Sequence, residues 1–343
     1  MKFHNLLFLT FFLIDVQAKA QFTNYSEPNI KVLTVGAKTS LRGLSVVNNH
    51  IIWVSGSNGK IGKSIDGGKT WNWKIVKGFE KTDFRDIEAF DSSTAIIIAI
   101  AEPAYILKTI DGGETWNIVY ENKTKGMFLD AMDFSDKKNG IVIGDPIEGK
   151  FFIAKTKDGG NSWSKLPITE RQNAEEDEAC FASSGTNIIY LKNGDFVFVS
   201  GGKNSRFFRN QNPSFIPILK GLESTGANSV TYQKNGKNIF IVGGDFSNAN
   251  LKDSNFCFSF DYGKNWQIAQ NPPSGYRSCV EFINKNSLIT CGINGVDLSN
   301  DGGIIWQRIS AEGFHVVQKA KSGNAVFLAG NNGKIGMLSW IER

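Results

Sequence analysis

Apolar residues in this 343-residue chain fall in short runs divided by Gly, Asn, Asp and Ser, the residues that favour turns. The pattern predicts short β-strands, and a unit of about 45 residues fits four of them. Composition agrees, because 36 Gly supply tight turns while 26 Phe and 8 Trp suit pleated surfaces. Disordered chains, collagens and helical bundles are excluded.

The N-terminus carries a nine-residue apolar segment that only Thr10 interrupts. Residues 6–14 follow Lys2 and precede the small residues Ala18 and Ala20, which predicts a cleaved signal peptide at residues 1–20. The run is too short to span a bilayer, which takes about 20 residues. We expect a secreted or periplasmic protein that is not transmembrane after cleavage.

An internal repeat sets the fold. The pattern S/T-x-D-x-G-x-x-W occurs five times, and successive Trp residues lie 45, 47, 103 and 40 positions apart. The long interval holds a degenerate unit at residues 208–215, where Asn210 replaces Asp, Asn212 replaces Gly and Phe215 replaces Trp. The full units contain Asp66 and Trp71, Asp111 and Trp116, Asp158 and Trp163, Asp261 and Trp266, and Asp301 and Trp306.

These units resemble the Asp-box, or BNR repeat, which in its families lies on the turn between the third and fourth strands of a β-propeller blade. We expect the Asp carboxylate to accept turn N–H groups, the Gly to adopt a left-handed conformation and the Trp to cover the apolar side of the hairpin. A residue that symmetry requires five times is structural, so these positions are not candidates for a functional site.

A second internal match completes the ring. Residues 329–336 repeat residues 55–62, yet the chain ends where the next unit would begin. We expect residues 31–35 to supply the missing outer strand beside residues 335–340, which removes free sheet edges. The prediction is an all-β, seven-bladed propeller of four-stranded antiparallel blades over residues 30–343, preceded by a leader at residues 21–29. Its blades begin near Leu41, Phe84, Phe128, Ala179, Ala227, Tyr276 and Phe314.

The candidate site lies on the face opposite the Asp-box turns, where strand starts and second-to-third-strand turns meet. Arginines gathered there suit carboxylates or other anions, since a guanidinium binds both oxygens. The alternative is a ring of ion pairs with neighbours such as Asp86 and Asp130. Counting one residue past the blade starts gives Arg42, Arg85, Leu129, Asn228, Arg277 and His315, of which all but Leu129 are ligand-binding candidates. The face also carries Asp86, Asp130, Glu102, Asp145, Lys203 and Asp245, overhung by residues 170–178.

Charge and cysteine usage narrow the partners. A net charge of +5 from 38 basic and 33 acidic residues is too balanced for a nucleic-acid binder. Metal-site cysteine spacings and Gly-rich cofactor loops are absent, so we expect neither metal nor cofactor. Cys279 and Cys291 lie opposite each other in a predicted hairpin centred on Lys285, either as a disulfide or as two buried thiols.

The whole chain resembles the photosystem II stability/assembly factor-like propellers and their exported relatives in non-photosynthetic bacteria. The resemblance rests on seven blades and on residues 84–87 (FRDI), 128–134 (FLDAMDF), 144–146 (GDP) and 178–186 (EACFASSGT). It implies a non-catalytic scaffold that holds a protein partner through an arginine-rich face. We expect a monomeric binding or assembly protein for a protein or an anionic glycan.

Two enzymatic alternatives stay open. Sialidases and some β-glucanases use Asp-box propellers, and Asp86, Asp130 and Asp145 are candidates for a catalytic carboxylate pair ~5–10 Å apart. The Arg-Ile-Pro of sialidases is missing, since Phe precedes Ile216 and Pro217. An oxidoreductase is the third possibility, because relatives bear that label, but the chain has no cofactor fingerprint.

Overall fold

The structure is a computed structural model that describes residues 27–233 and 237–341. The predicted signal peptide and residues 21–26 of the leader lie outside the described residues. In the described part, the strands form seven antiparallel sheets, and the inner strands of neighbouring sheets contact each other around a complete ring. The predicted seven-bladed propeller is confirmed. No helix in this part reaches the length and apolarity that a membrane crossing needs.

The strands run from the inside of each blade outwards, except that the first strand of the chain belongs to the last blade. The chain begins with β1 (Glu27–Thr34). Blade 1 contains β2 (Leu41–Val46), β3 (Ile52–Gly56), β4 (Lys60–Ser64) and β5 (Asn72–Ile75). Blade 2 contains β6 (Phe84–Ala89), β7 (Ala95–Ala99), β8 (Ala104–Thr109) and β9 (Asn117–Asn122). Blade 3 contains β10 (Leu129–Phe134), β11 (Gly140–Ile147), β12 (Lys150–Thr156) and β13 (Ser164–Lys165).

The second half of the chain adds short strands between blades. A 3₁₀ turn (Ile168–Glu170) and β14 (Glu178–Ala179) precede blade 4, which contains β15 (Ile188–Tyr190), β16 (Phe196–Val199), β18 (Arg206–Arg209) and β19 (Asn212–Phe215), with β17 (Gly201–Gly202) between. Blade 5 contains β20 (Thr225–Tyr232), β21 (Ile239–Asp245), β22 (Phe256–Ser259) and β23 (Gln267–Ile268). Blade 6 contains β24 (Cys279–Phe282), β25 (Leu288–Gly292), β26 (Gly295–Ser299) and β27 (Gln307–Ser310). Blade 7 contains β28 (Val316–Lys319), β29 (Val326–Ala329), a 3₁₀ turn (Asn331–Gly333) and β30 (Ile335–Ile341).

The ring closes between the two ends of the chain. Strand β1 pairs antiparallel with β30, from Glu27 opposite Ile341 to Thr34 opposite Ile335, and becomes the outer strand of blade 7. The predicted closure is confirmed, with a pairing longer than expected. Ile30 is buried in the same core cluster as Ile335, so the closing strand packs as well as pairs.

The same hydrogen-bond pattern recurs in each of the five repeated turns. In blade 2, Thr109 Oγ1 donates to Asp111 Oδ1 at 2.8 Å and accepts the Gly113 N–H at 3.0 Å, while Asp111 accepts the Thr115 N–H at 3.0 Å. Gly113 has a φ of +85°, which favours glycine. In blade 1 the equivalent bonds from Thr70 lower the pKa of Asp66 to about 2, because they stabilise the carboxylate. The turns are self-contained structural units.

The repeated Trp side chains join blades. They also cover their own turns as expected, since Nε1 of Trp71 and of Trp306 donates to the Gly carbonyl of its own turn at 3.1 Å. Beyond its own hairpin, Trp116 packs edge-on against Trp53 of blade 1 with centroids 6.5 Å apart. Likewise, Trp306 meets Phe256 of blade 5 at 5.1 Å. These rings fill the gap that opens between blades near the outer strands.

Blade 4 differs from its predicted form in two ways. Its inner strand begins at Ile188, because Ala179 belongs to β14, which pairs with β17 on the edge of the blade 5 sheet. The degenerate unit does span the third and fourth strands, but they are joined by a tight turn in which Asn210 has a φ of +51°. Asn212 is therefore a strand residue, and Phe215 is 61% exposed rather than a substitute for Trp.

Cys279 and Cys291 face each other across β24 and β25, as predicted. Both are buried free thiols, as are Cys180 and Cys257. The sequence left a disulfide and two buried thiols open, and the structure has the two buried thiols.

Disrupting the closing strand should open the ring. We expect Ile30→Asp to lower the melting temperature and promote aggregation, because it places a charge in the core and frees the edge of β30. Lys31→Asp, an exposed position on the same strand, is the matched control. Equal thermal melts of the two variants would contradict the closure.

Truncating the Trp side chains should reveal their unequal burial. Trp306 is 3% exposed, so Trp306→Ala should lower the free energy of unfolding by ~3–5 kcal/mol. Trp116→Ala should cost less, because Trp116 is only half-buried. Urea denaturation measures the free energy of unfolding of both variants. Equal losses of free energy would show that burial of the Trp ring does not set the destabilisation.

Candidate functional site

The starts of the inner strands surround a cavity of about 470 Å³ on the face opposite the repeated turns, here called the cup. Arg42, Arg85 and Asn228 each lie on a β-bulge, where the register of the inner strand shifts. A bulge turns a side chain out of the regular ladder, and these three are turned into the cup. The lining consists of Arg42, Arg85, Phe128, Asp145, residues 179–183, Asn228, Phe246, Tyr276, Ile293 and His315.

The two arginines of the cup differ in their partners. Arg85 forms an ion pair with Asp83 at 3.2 Å and lies 5.8 Å from the centroid of the Phe128 ring. Arg42 donates Nη1–H to the carbonyl of Ser183 at 3.2 Å, and no carboxylate of the described residues lies within ion-pair distance of it. Burial and the charge of Arg85 lower the pKa of Arg42, which stays a cation. Of the two arginines in the cup, the ion-pair alternative thus holds for Arg85, with Asp83 as the partner.

His315 and Asn228 support the wall and floor of the cup. His315 Nε2 lies 3.0 Å from Asn331 Oδ1, and burial lowers its pKa to about 4, so the ring is neutral and adds no positive charge. Its Nδ1 faces no hydrogen-bond partner in the described residues. Asn228 Oδ1 accepts bonds from Ser183 Oγ at 2.8 Å and from Tyr276 OH at 2.9 Å.

Arg277 does not line the cup, which corrects the sequence prediction. Its side chain is fully buried within blade 6, where Nε donates to Asp297 Oδ2 at 2.6 Å and Nη1 donates to Asn294 Oδ1 at 2.7 Å. A second contact joins Nη2 to the same carboxylate. A guanidinium with these bonds satisfied is structural, and breaking the pair would leave a buried charge.

The three candidate carboxylates do not form one group. Asp86 lies outside the cup lining and accepts the Met132 N–H at 2.7 Å, which joins blades 2 and 3. Asp145 lines the cup, accepts the Cys180 N–H at 3.0 Å, and has a pKa raised to about 6 by burial. No three His, Cys, Asp or Glu side chains of the described residues are grouped as metal ligands.

Asp130 is the most unusual carboxyl group near the cup. It occupies the bulge of blade 3 that corresponds to Arg42 and Arg85, the position to which counting assigned Leu129. Its side chain is fully buried, and neither oxygen accepts a hydrogen bond of normal geometry from a described residue. Burial and the neighbouring Asp145 raise its pKa well above the usual value, which the nearby Arg85 and the Ala182 amide offset only in part.

A segment that the repeat did not predict closes the cup from below. Residues 180–187, here called the plug, cross the centre of the ring. Their polar contacts reach Arg42 in blade 1, Asp145 in blade 3, Asn228 and Ser229 in blade 5, and Ser278 in blade 6. Residues 179–183 face the cup, whereas Gly185 and Thr186 face the channel beneath. The plug therefore forms a floor between the cup and the channel.

The remaining predicted rim residues lie outside the cup lining. Lys203 forms an ion pair with Asp177, and Asp245 accepts the Ser247 N–H at 2.9 Å. Glu102 accepts the Gly126 N–H. None of residues 170–178 lines the cup, and Glu178 is buried against Arg206.

Sequence reasoning missed the apolar part of the cup. Phe181 and Phe246 pack edge-on with centroids 5.9 Å apart, and Phe246 packs in the same way on Tyr276 at 6.4 Å. Phe246 and Ile293 are each 44% exposed. Large apolar side chains that stay accessible beside an unpaired guanidinium are typical of a binding surface.

Comparisons with known proteins support the fold. No protein-family model matches the chain, and no curated protein matches it in sequence. The solved structure of YCF48 bound to D1 peptide is similar, with a TM-score of 0.64 and 17% identity over 93% of this chain and 96% of that chain. YCF48 from Cyanidioschyzon merolae has a TM-score of 0.65 and 15% identity over 90% of this chain and 98% of that chain. The expected likeness to photosystem II assembly factor propellers is confirmed, and at these identities it shows the shared fold.

Replacing Asp130 should change the pH dependence of stability. Its folded-state pKa is raised, so the native state binds more protons than the unfolded state above about pH 4, and stability falls as pH rises towards the folded pKa. Asp130→Asn removes an unpartnered buried charge. The difference in free energy of unfolding between this variant and the native protein should therefore be ~1–3 kcal/mol more favourable to the variant at pH 8 than at pH 4. Urea denaturation at both pH values measures this, and parallel pH profiles would contradict it.

Proposed function

We propose that this protein is a non-catalytic binding protein, exported from the cytoplasm, which holds a carboxylate-bearing segment of a protein partner in the cup. The observation that carries the proposal is the guanidinium of Arg42. It is half-buried, pairs with no carboxylate of the described residues, and has four of its five N–H groups free of any described hydrogen bond. A carboxylate satisfies a guanidinium through two parallel bonds.

The walls of the cup favour a polypeptide over a glycan. Phe181, Phe246 and Ile293 offer apolar surface for the side chains beside the carboxylate. A volume of about 470 Å³ accepts a few side chains and not a folded domain. YCF48, which shares the fold, has been solved with a D1 peptide, and this supports a peptide segment as the ligand.

Reversing the two cup arginines should abolish peptide binding. The probes are short labelled peptides in which Asp or Glu stands beside Leu or Phe, with Asn and Gln counterparts as negative probes. Arg42→Glu/Arg85→Glu should weaken binding of the acidic peptides by ~30-fold or more in fluorescence anisotropy, because losing the guanidinium–carboxylate contacts and adding like charges costs about 2 kcal/mol or more in total. The matched control is Lys137→Glu/Lys138→Glu, which makes the same charge change at two exposed residues of the opposite face.

The alternatives give different results in the same experiment. The proposal would be contradicted if the arginine and lysine double variants bound the acidic peptides equally well. It would also be contradicted if the native protein bound the Asn and Gln peptides as tightly as the acidic ones. Hydrolysis of a glycan that survives the arginine reversal and disappears in Asp145→Asn would favour a glycosidase. Signal-peptide cleavage and export are tested by fractionation and N-terminal sequencing of the protein from its native host.

A further inference from the structure

A second cavity, larger than the cup, opens at the other end of the ring. It has a volume of about 770 Å³ and lies beside the first turns of blades 6 and 7, on the face of the repeated turns. It continues into the central channel, with which it shares Tyr232, Glu281, Gln318 and Lys321. The plug separates it from the cup, so the two cavities are independent. We call it the lower cavity.

The lower cavity carries unpaired positive charge. Lys285 and Lys319 line it, and neither forms an ion pair or a side-chain hydrogen bond with any residue in the described ranges. The third lysine, Lys321, is engaged by Glu88 at 2.6 Å. Burial raises the pKa of Glu281 to about 8, so this carboxyl group is mostly protonated at neutral pH and does not cancel the lysines. This end of the ring therefore favours an anionic ligand group.

Neutral polar groups and aromatic rings share the walls with the lysines. The Gln318 amide and the Tyr232 hydroxyl make no side-chain hydrogen bond within residues 27–233 and 237–341, and both line the cavity. Phe282 and Tyr232 add ring surface, and Phe282 is held edge-on against Phe240 with centroids 5.0 Å apart. The Gln233 side chain donates to the Lys285 carbonyl at 2.7 Å, which fixes the turn that presents this lysine.

This combination fits one ligand class. Amides, hydroxyls and protonated carboxyls both donate to and accept from ligand hydroxyl groups, and aromatic surface covers the C–H face of a ring. Ammonium groups bind a carboxylate or a phosphate as point charges. We propose that the lower cavity binds a small acidic sugar, with its anionic group held by Lys285 and Lys319 and its hydroxyl groups by Gln318, Tyr232 and Glu281.

The proposal is independent of what binds in the cup, and its test uses defined probes. Saturation-transfer NMR and calorimetry on the mature chain would compare glucuronic acid, glucose 6-phosphate and glucose. We expect both anionic sugars, or the one whose anion fits, to bind at least ~10-fold more tightly than glucose, because two ammonium groups act on the anion. Equal affinities for all three sugars, or no binding at millimolar concentration, would overturn the proposal.

Matched variants locate the site. Lys285→Ala/Lys319→Ala and Gln318→Ala should each weaken binding of the anionic sugar by ~10-fold or more, whereas Lys137→Ala/Lys138→Ala should leave it unchanged. Arg42→Glu/Arg85→Glu should also bind the sugar normally, so failure here is distinguishable from failure in the cup. Retained affinity in the double lysine variant would place the sugar elsewhere and contradict the assignment.

The pH profile tests the role of Glu281. The charged and titratable groups around it are Cys279 on its own strand, Tyr232 of blade 5, Lys285 of blade 6, Lys319 of blade 7, and, in the channel, Asp86, Glu88, Asp133 and Lys321. Binding of the anionic sugar should weaken as pH rises through about 8, because Glu281 ionises and repels the anion. Glu281→Gln should retain binding and lose this dependence. An unchanged pH profile in Glu281→Gln would remove Glu281 from the site.

Discussion

The hydrogen bonding of β1 to β30 is the constraint on which the rest of the structure depends. A blade is a twisted four-stranded sheet, and seven of them form a ring only if the last meets the first. The closing pair brings blade 7 against blade 1, where His315 Nε2 lies 3.3 Å from Ser40 Oγ, next to Arg42. The cup is thus built from strand starts that lie far apart in sequence and meet only because the ring is closed.

The plug gives the closed ring two separate ends. Its hydrogen bonds to four blades hold it across the centre, and Gly185 fits because a Cβ there would lie 2.4 Å from the carboxyl carbon of Asp86. Above the plug, guanidinium groups stand among aromatic side chains. Below it, ammonium groups stand among amides and hydroxyls. Eight residues of a connection between blades thus separate two cavities whose lining chemistry differs.

Sequence repetition predicted the architecture well, because the period and the turn chemistry are local. Arg42 and Arg85 were located by counting from the blade starts, since their bulges recur at the same place. The same counting failed for Arg277, because Asp297 on β26 captures its side chain within blade 6. It assigned Leu129 instead of Asp130 to the equivalent position of blade 3, because the count began at Phe128, whereas the residue before the bulge is Leu129. The plug lies outside the repeat, and its position depends on contacts to four other blades, so only the folded structure shows it.

Hydrogen–deuterium exchange with and without an acidic peptide tests the central claim most directly, because it reads the whole chain at once. The account predicts added protection at the plug and at the starts of β2, β6 and β20, which surround Arg42, Arg85 and Asn228. The repeated turns on the opposite face should exchange as they do in the free protein. Protection confined to those turns, or to the outer strands, would contradict the cup as the binding site.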